Sequence, residues 1–124
     1  MDIAQLLPVE ARQELDLLDE YLSSRRQSLP DLLRAWSGYA RTMARHERIH
    51  MDDYLAMLFA RDAIHDVVQR ATPTVSRLLG ALVSDSDSLF LFGTHNDDEQ
   101  LIQSKMTTTS SAWWWRRAPY VLDE

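Results

Sequence analysis

Between residues 8 and 93, apolar side chains recur every three or four positions in four runs separated by proline or polar breaks. No comparable run alternates with the period of two that a half-buried strand requires. Such a chain buries one stripe of each helix against its neighbours, so the expectation is an all-α fold, a compact bundle of about four helices. At 124 residues the chain can build one core without a disulfide or a metal. It therefore reads as a single domain, with a helical core over 8–93, a polar loop over 94–112 and a Trp/Arg-rich tail over 113–124 packed on the core.

The first helix is expected over 8–26, with Pro8 in its first turn and Ala11, Leu15, Leu18 and Leu22 as its stripe. Leu29-Pro30-Asp31 opens a second, whose stripe is Leu32, Leu33, Trp36, Tyr39, Ala40 and Met43. The third is expected from an Asp52 N-cap to about Arg70, apolar on most of its surface and therefore central. Thr72-Pro73-Thr74 can cap a fourth, carrying Val75, Leu78, Leu79, Leu82 and Val83. Two endings are open: a break at the alternating Ser and Asp of 84–88, or continuation through Leu89, Phe90 and Phe92 to Gly93.

Nineteen Asp and Glu against thirteen Lys and Arg leave a formal charge of −6, a poor match for nucleic acid or an anionic membrane. With no cysteine there is no disulfide, thiol nucleophile or Cys-type metal site. Met1-Asp2-Ile3-Ala4-Gln5 places acid where a secretory signal needs base. No apolar run approaches the roughly 18 residues of a membrane span, so the expected address is the cytoplasm.

His46-Glu47-Arg48-Ile49-His50 matches H-E-x-x-H, in which two histidines one helical turn apart ligate zinc and the glutamate acts as general base on the bound water. Asp62, His65 and Asp66 are the available third ligands. Against this, Arg45 and Arg48 bring two cations beside a divalent ion, and the motif falls where the second helix should end. The alternative is a polar helix terminus, with His46 and His50 favourably placed near the negative end of the dipole. No cofactor is expected on that reading; zinc belongs to the other.

Arg34, Arg41, Arg45 and Arg48 form a row on the second helix, and with Glu47 they make residues 32–50 net +3. The row could grip phosphates or an acidic partner. The reading preferred for a charged helix face is that it stays solvated or pairs with Glu10, Glu14, Asp16, Asp19 and Glu20 of the first helix. Arg61 projects toward the apolar side of the third helix and needs a paired acid there, while His65 is expected on a polar helix face.

Trp113-Trp114-Trp115-Arg116-Arg117 concentrates residue types typical of binding hot spots. If extended, it points Trp113 and Trp115 one way and Trp114 the other. It serves either as a docking tail or as a clamp folded over the core, and the clamp is preferred because exposed indoles invite aggregation. The chain resembles a group of small uncharacterised bacterial proteins in its Asp53-Tyr54-Leu55 element, the following Arg61-Asp62, and the tail from Trp113 to Pro119. The resemblance spans about half of the chain in spacing, is specific only in the tail, and implies no activity; H-E-x-x-H is not part of it.

The functional expectation is a non-catalytic, protein-binding module of accessory or immunity type, using its acidic surface, the Arg row or the Trp–Arg tail. The alternative is a small zinc-dependent hydrolase. Self-association is left open.

Overall fold

The computed structural model describes residues 9–105 and 112–123. The fold is the expected all-α bundle: α1 (Val9–Ser23), α2 (Leu29–Ala44), α3 (Met51–Arg70) and α4 (Pro73–Phe92), with a short α5 (Leu101–Lys105). Two small ladders finish it. Strand β1 (Ile49–His50) runs parallel to β4 (Leu122–Asp123), pairing Ile49 with Leu122. Strand β2 (Thr94–Asn96) runs antiparallel to β3 (Arg117–Pro119), pairing His95 with Ala118.

Several boundaries differ from expectation for identifiable reasons. Helix α1 stops at Ser23 because Arg26 takes a left-handed φ of 59° and the amides of Arg26 and Gln27 turn back to the carbonyls of Ser23 and Leu22. The N-cap of α3 is His50, not Asp52; its ring Nδ1 accepts the Asp52 amide at 3.1 Å. Helix α4 runs unbroken through 84–88 to Gly93, since the exposed Ser84, Asp85 and Ser88 keep to solvent while Asp87 turns inward. The 94–112 stretch is not simply a loop: it contains β2 and α5, and residues 106–111 lie outside the described set.

Helix α1 contributes acids rather than much core. Ser28 and Thr72 precede α2 and α4 without making side-chain caps, and carboxylates of α1 do that work instead. Asp19 accepts the Leu29 amide at 2.8 Å, and Glu14 accepts both the amide and the hydroxyl of Thr72 at 2.7 Å. An acid at a helix N-terminus satisfies orphan amides and complements the dipole.

The most extensive helix contact is α2 along α4, so α3 is not the sole centre of the bundle. One side of α3 is buried (Tyr54, Leu58, Ile64 and Val67 among others), whereas Phe59 on the other side is 48% exposed. Trp36 of α2 and Phe90 of α4 meet at 4.8 Å, and Tyr54 stacks on Phe90 at 6.1 Å. Among the described residues no helix is long and apolar enough to cross a membrane.

Gly93 sits where α4 closes on the end of α2: a β-carbon there would collide with the backbone of Met43 and Ala44. Gly93→Ala is therefore expected to cost at least about 2 kcal/mol by urea denaturation. Gly38→Ala and Gly80→Ala face open space within helices and should each stabilise by about 0.5–1 kcal/mol.

Candidate functional site

The H-E-x-x-H residues do not share a helix. Helix α2 ends at Ala44; His46 takes a left-handed φ of 55°, its amide returns to the Met43 carbonyl, and that of Glu47 returns to Thr42. This is a Schellman-type stop, and histidine tolerates its left-handed position better than most residues. Past the stop, His50 heads α3 as its cap, while Glu47 pairs with Arg45 at 3.2 Å. The possible third ligands are also engaged: Asp62 binds two indoles, His65 lies edge-on to Trp114 at 5.4 Å, and Asp66 accepts the Tyr21 hydroxyl. Among the described residues no three His, Cys, Asp or Glu side chains are grouped as metal ligands.

The arginine row pairs with acids outside the first helix. Arg34 lies 3.5 Å from Asp31, Arg45 pairs with Glu47, and Arg48 reaches Asp123 of β4 at 2.6 Å. Arg41 is exposed and makes no ion pair among the described residues. These pairs are solvent-exposed, and each contributes at most about 1 kcal/mol.

The tail folds as a clamp. Trp113–Arg116 form a 3-10 turn, not an extended zigzag, so Trp114 and Trp115 both reach the core while Trp113 stays half-buried against Phe90. Asp62 receives both indoles: Trp114 Nε1 donates to it at 2.7 Å, and Trp115 Nε1 at 2.9 and 3.0 Å to its two oxygens. The Tyr54 hydroxyl donates to the Arg117 carbonyl at 2.7 Å. Arg117 in turn donates to Thr94, Asn96 and the Leu91 carbonyl, stapling the tail to the end of α4, whereas Arg116 is exposed. Four of the tail's five candidate contact residues thus have structural roles.

Behind the clamp lies an ion pair inside the core. Arg61, 7% exposed, grips Asp87 with two hydrogen bonds of 3.0 Å, and Trp36 Nε1 donates to the same carboxylate at 2.9 Å. The acid that Arg61 needs comes from α4, not from the adjacent Asp62. Its guanidinium stands 4.4 Å from the Trp114 ring centre, and its Nη1 is buried without a partner.

What the sequence reading missed is a surface. The ring of His46 stacks on Phe92 at 5.8 Å and tilts against Tyr120 at 4.5 Å; His95 also meets Tyr120, at 5.2 Å. Phe92 is 68% exposed and Tyr120 52%, with Val121 beside them. The helix end at His46, the end of α4, strand β2 and the tail meet here, and the Arg45–Glu47 and Arg48–Asp123 pairs lie next to the rings in sequence. Phe92 and Leu89 keep the apolar period of α4, which reads as core; the period does not show that α2 and α3 cover only one side of that helix. Elsewhere, a cleft of about 490 Å³ between β2, α5 and Arg116 is polar and open, and both carboxylate oxygens of its Asp97 cap α5.

No protein-family model, curated protein or solved structure matches the chain.

Burial, partly offset by the Arg117 charge, holds the Tyr54 phenol far above its ordinary value of 10.0. The folded state keeps that proton, so the contribution is complete below about pH 10 and declines as pH rises past it, where the unfolded phenol ionises. Tyr54→Phe should lose about 1 kcal/mol at pH 7 yet show a shallower decline between pH 10 and 11.5, read from urea midpoints. His50→Ala removes a cap and should cost about 1 kcal/mol. Untagged protein purified without chelator should hold no stoichiometric zinc in either form; one zinc per chain, lost in the variant, would restore the hydrolase reading.

Proposed function

We propose that the chain is a non-catalytic protein-binding module, of accessory or immunity type, that docks a basic partner through the Phe92–His46–Tyr120 rings. The observation that carries the reading is the exposure of Phe92: at 68% it is the most exposed large apolar side chain described, and its ring stacks on that of His46. Open aromatic surface bordered by charged residues is the anatomy of a protein interface, where central rings provide the affinity and the border excludes water. The exposed ion pairs Arg45–Glu47 and Arg48–Asp123 suit that border.

Charge supports the choice of partner. The chain carries −6 overall, and most of its arginines near the rings are already paired with acids, so long-range attraction favours a basic protein over an acidic one or a nucleic acid. Trp114 and Trp115, the strongest hot-spot residues in the sequence, support binding only indirectly, by holding Tyr120 in place through the tail.

A photo-crosslinking residue, p-benzoylphenylalanine, placed at position 92 tests the reading in cells that naturally express the protein, with position 17 on α1 as the control. The expected result is one discrete protein adduct from position 92 that disappears with Tyr120→Asp and is absent from position 17. No adduct at 92, or one indifferent to Tyr120→Asp, would remove the proposal.

A further inference from the structure

The ring surface continues along α4. Leu82, Asp85, Leu89 and Phe92 are spaced three, four and three residues apart, so at about 100° per residue they fall within an arc of roughly 80° on one flank of the helix. All four are exposed, Leu82 by 37% and Leu89 by 38%. Over about 15 Å of helix axis this is the seam that a second helix occupies when it packs alongside, with an acid at one of its central positions. Asp85 makes no hydrogen bond or ion pair among the described residues, unlike Asp62 and Asp87 on the inner sides of their helices.

That acid decides what can lie there. A second copy of α4 aligned in parallel sets Asp85 against Asp85. Aligned antiparallel about the middle of the stripe, it sets Asp85 against Leu89. The first arrangement opposes like charges and the second buries a carboxylate against hydrocarbon, so neither satisfies the group. A foreign helix with Arg or Lys at the facing position satisfies it and suits the negative charge of the chain. We infer that the partner presents an amphipathic α-helix that lies along Leu82, Leu89 and Phe92, with a basic residue opposite Asp85 and an apolar anchor on the Phe92–His46–Tyr120 rings. This rests on the protein-binding reading and specifies the partner segment.

The test uses two defined peptides on the full-length, isotope-labelled chain. Both are amphipathic helices with leucine at the seam positions; one carries Arg opposite Asp85 and the other Glu. The Arg peptide should bind about tenfold more tightly or better, with NMR shifts confined to residues 82–92, His46 and Tyr120. Asp85→Arg, an exchange on an exposed position checked for unchanged thermal unfolding, should reverse the preference. Equal binding of the two peptides, no reversal, or shifts elsewhere would overturn the inference. So would a dimer of the chain alone in sedimentation that Leu89→Asp dissolves, since the occupant would then be a second copy. If the crosslink at position 92 persists while the peptides fail, the helical partner falls and the binding module stands. If that crosslink is absent, both fall.

Discussion

A charge in an apolar core is costly unless it is paired, and the bundle is organised around pairing Arg61. Its two hydrogen bonds to Asp87 tie α3 to α4, the Trp36 indole on the same carboxylate adds α2, and the Trp114 ring over the guanidinium adds the tail. Removing Asp87 would leave the Arg61 guanidinium buried and unpaired, a penalty of about 3–5 kcal/mol, a large part of the stability of a domain this size. The pair therefore favours the register in which α4 settles against α2 and α3 with Asp87 inward.

The carboxylate of Asp62 repeats this logic one helical position along. Two indole donors converge on one acid, which lets Trp114 and Trp115 both be buried with their N–H groups satisfied. The ring surface depends on this clamp, because Tyr120 is held where His46 and His95 can reach it only while β3 is paired with β2.

The helices were legible in the sequence because periodicity is a local property, and stripes such as Leu32–Trp36–Met43 or Tyr54–Leu58–Ile64 point inward in any bundle. Arg61 was likewise identifiable as needing an acid, but not which one: Asp87 lies 26 residues away in a stretch whose sequence is compatible with either a break or a continuing helix. The H-E-x-x-H match was legible as a spacing, but its geometry was not. A motif states spacing, while its geometry depends on a continuous helix, and the left-handed turn at His46 removes that continuity. The ring surface was least legible. Phe92, His46, His95 and Tyr120 come from four separate elements, and an exposed Phe at a helical period looks the same as a buried one until the neighbouring helices are placed.

The position of Trp115 along the chain bears on how the protein is made. Its side chain is fully buried beneath residues that a ribosome delivers long before it. Until residues 113–117 emerge, the nascent bundle presents the Asp62 carboxylate and the Tyr54 hydroxyl without these partners, and its packing is incomplete. A product truncated ahead of residue 113 would thus lack the groups that satisfy Asp62 and Tyr54 and would be exposed to proteolysis.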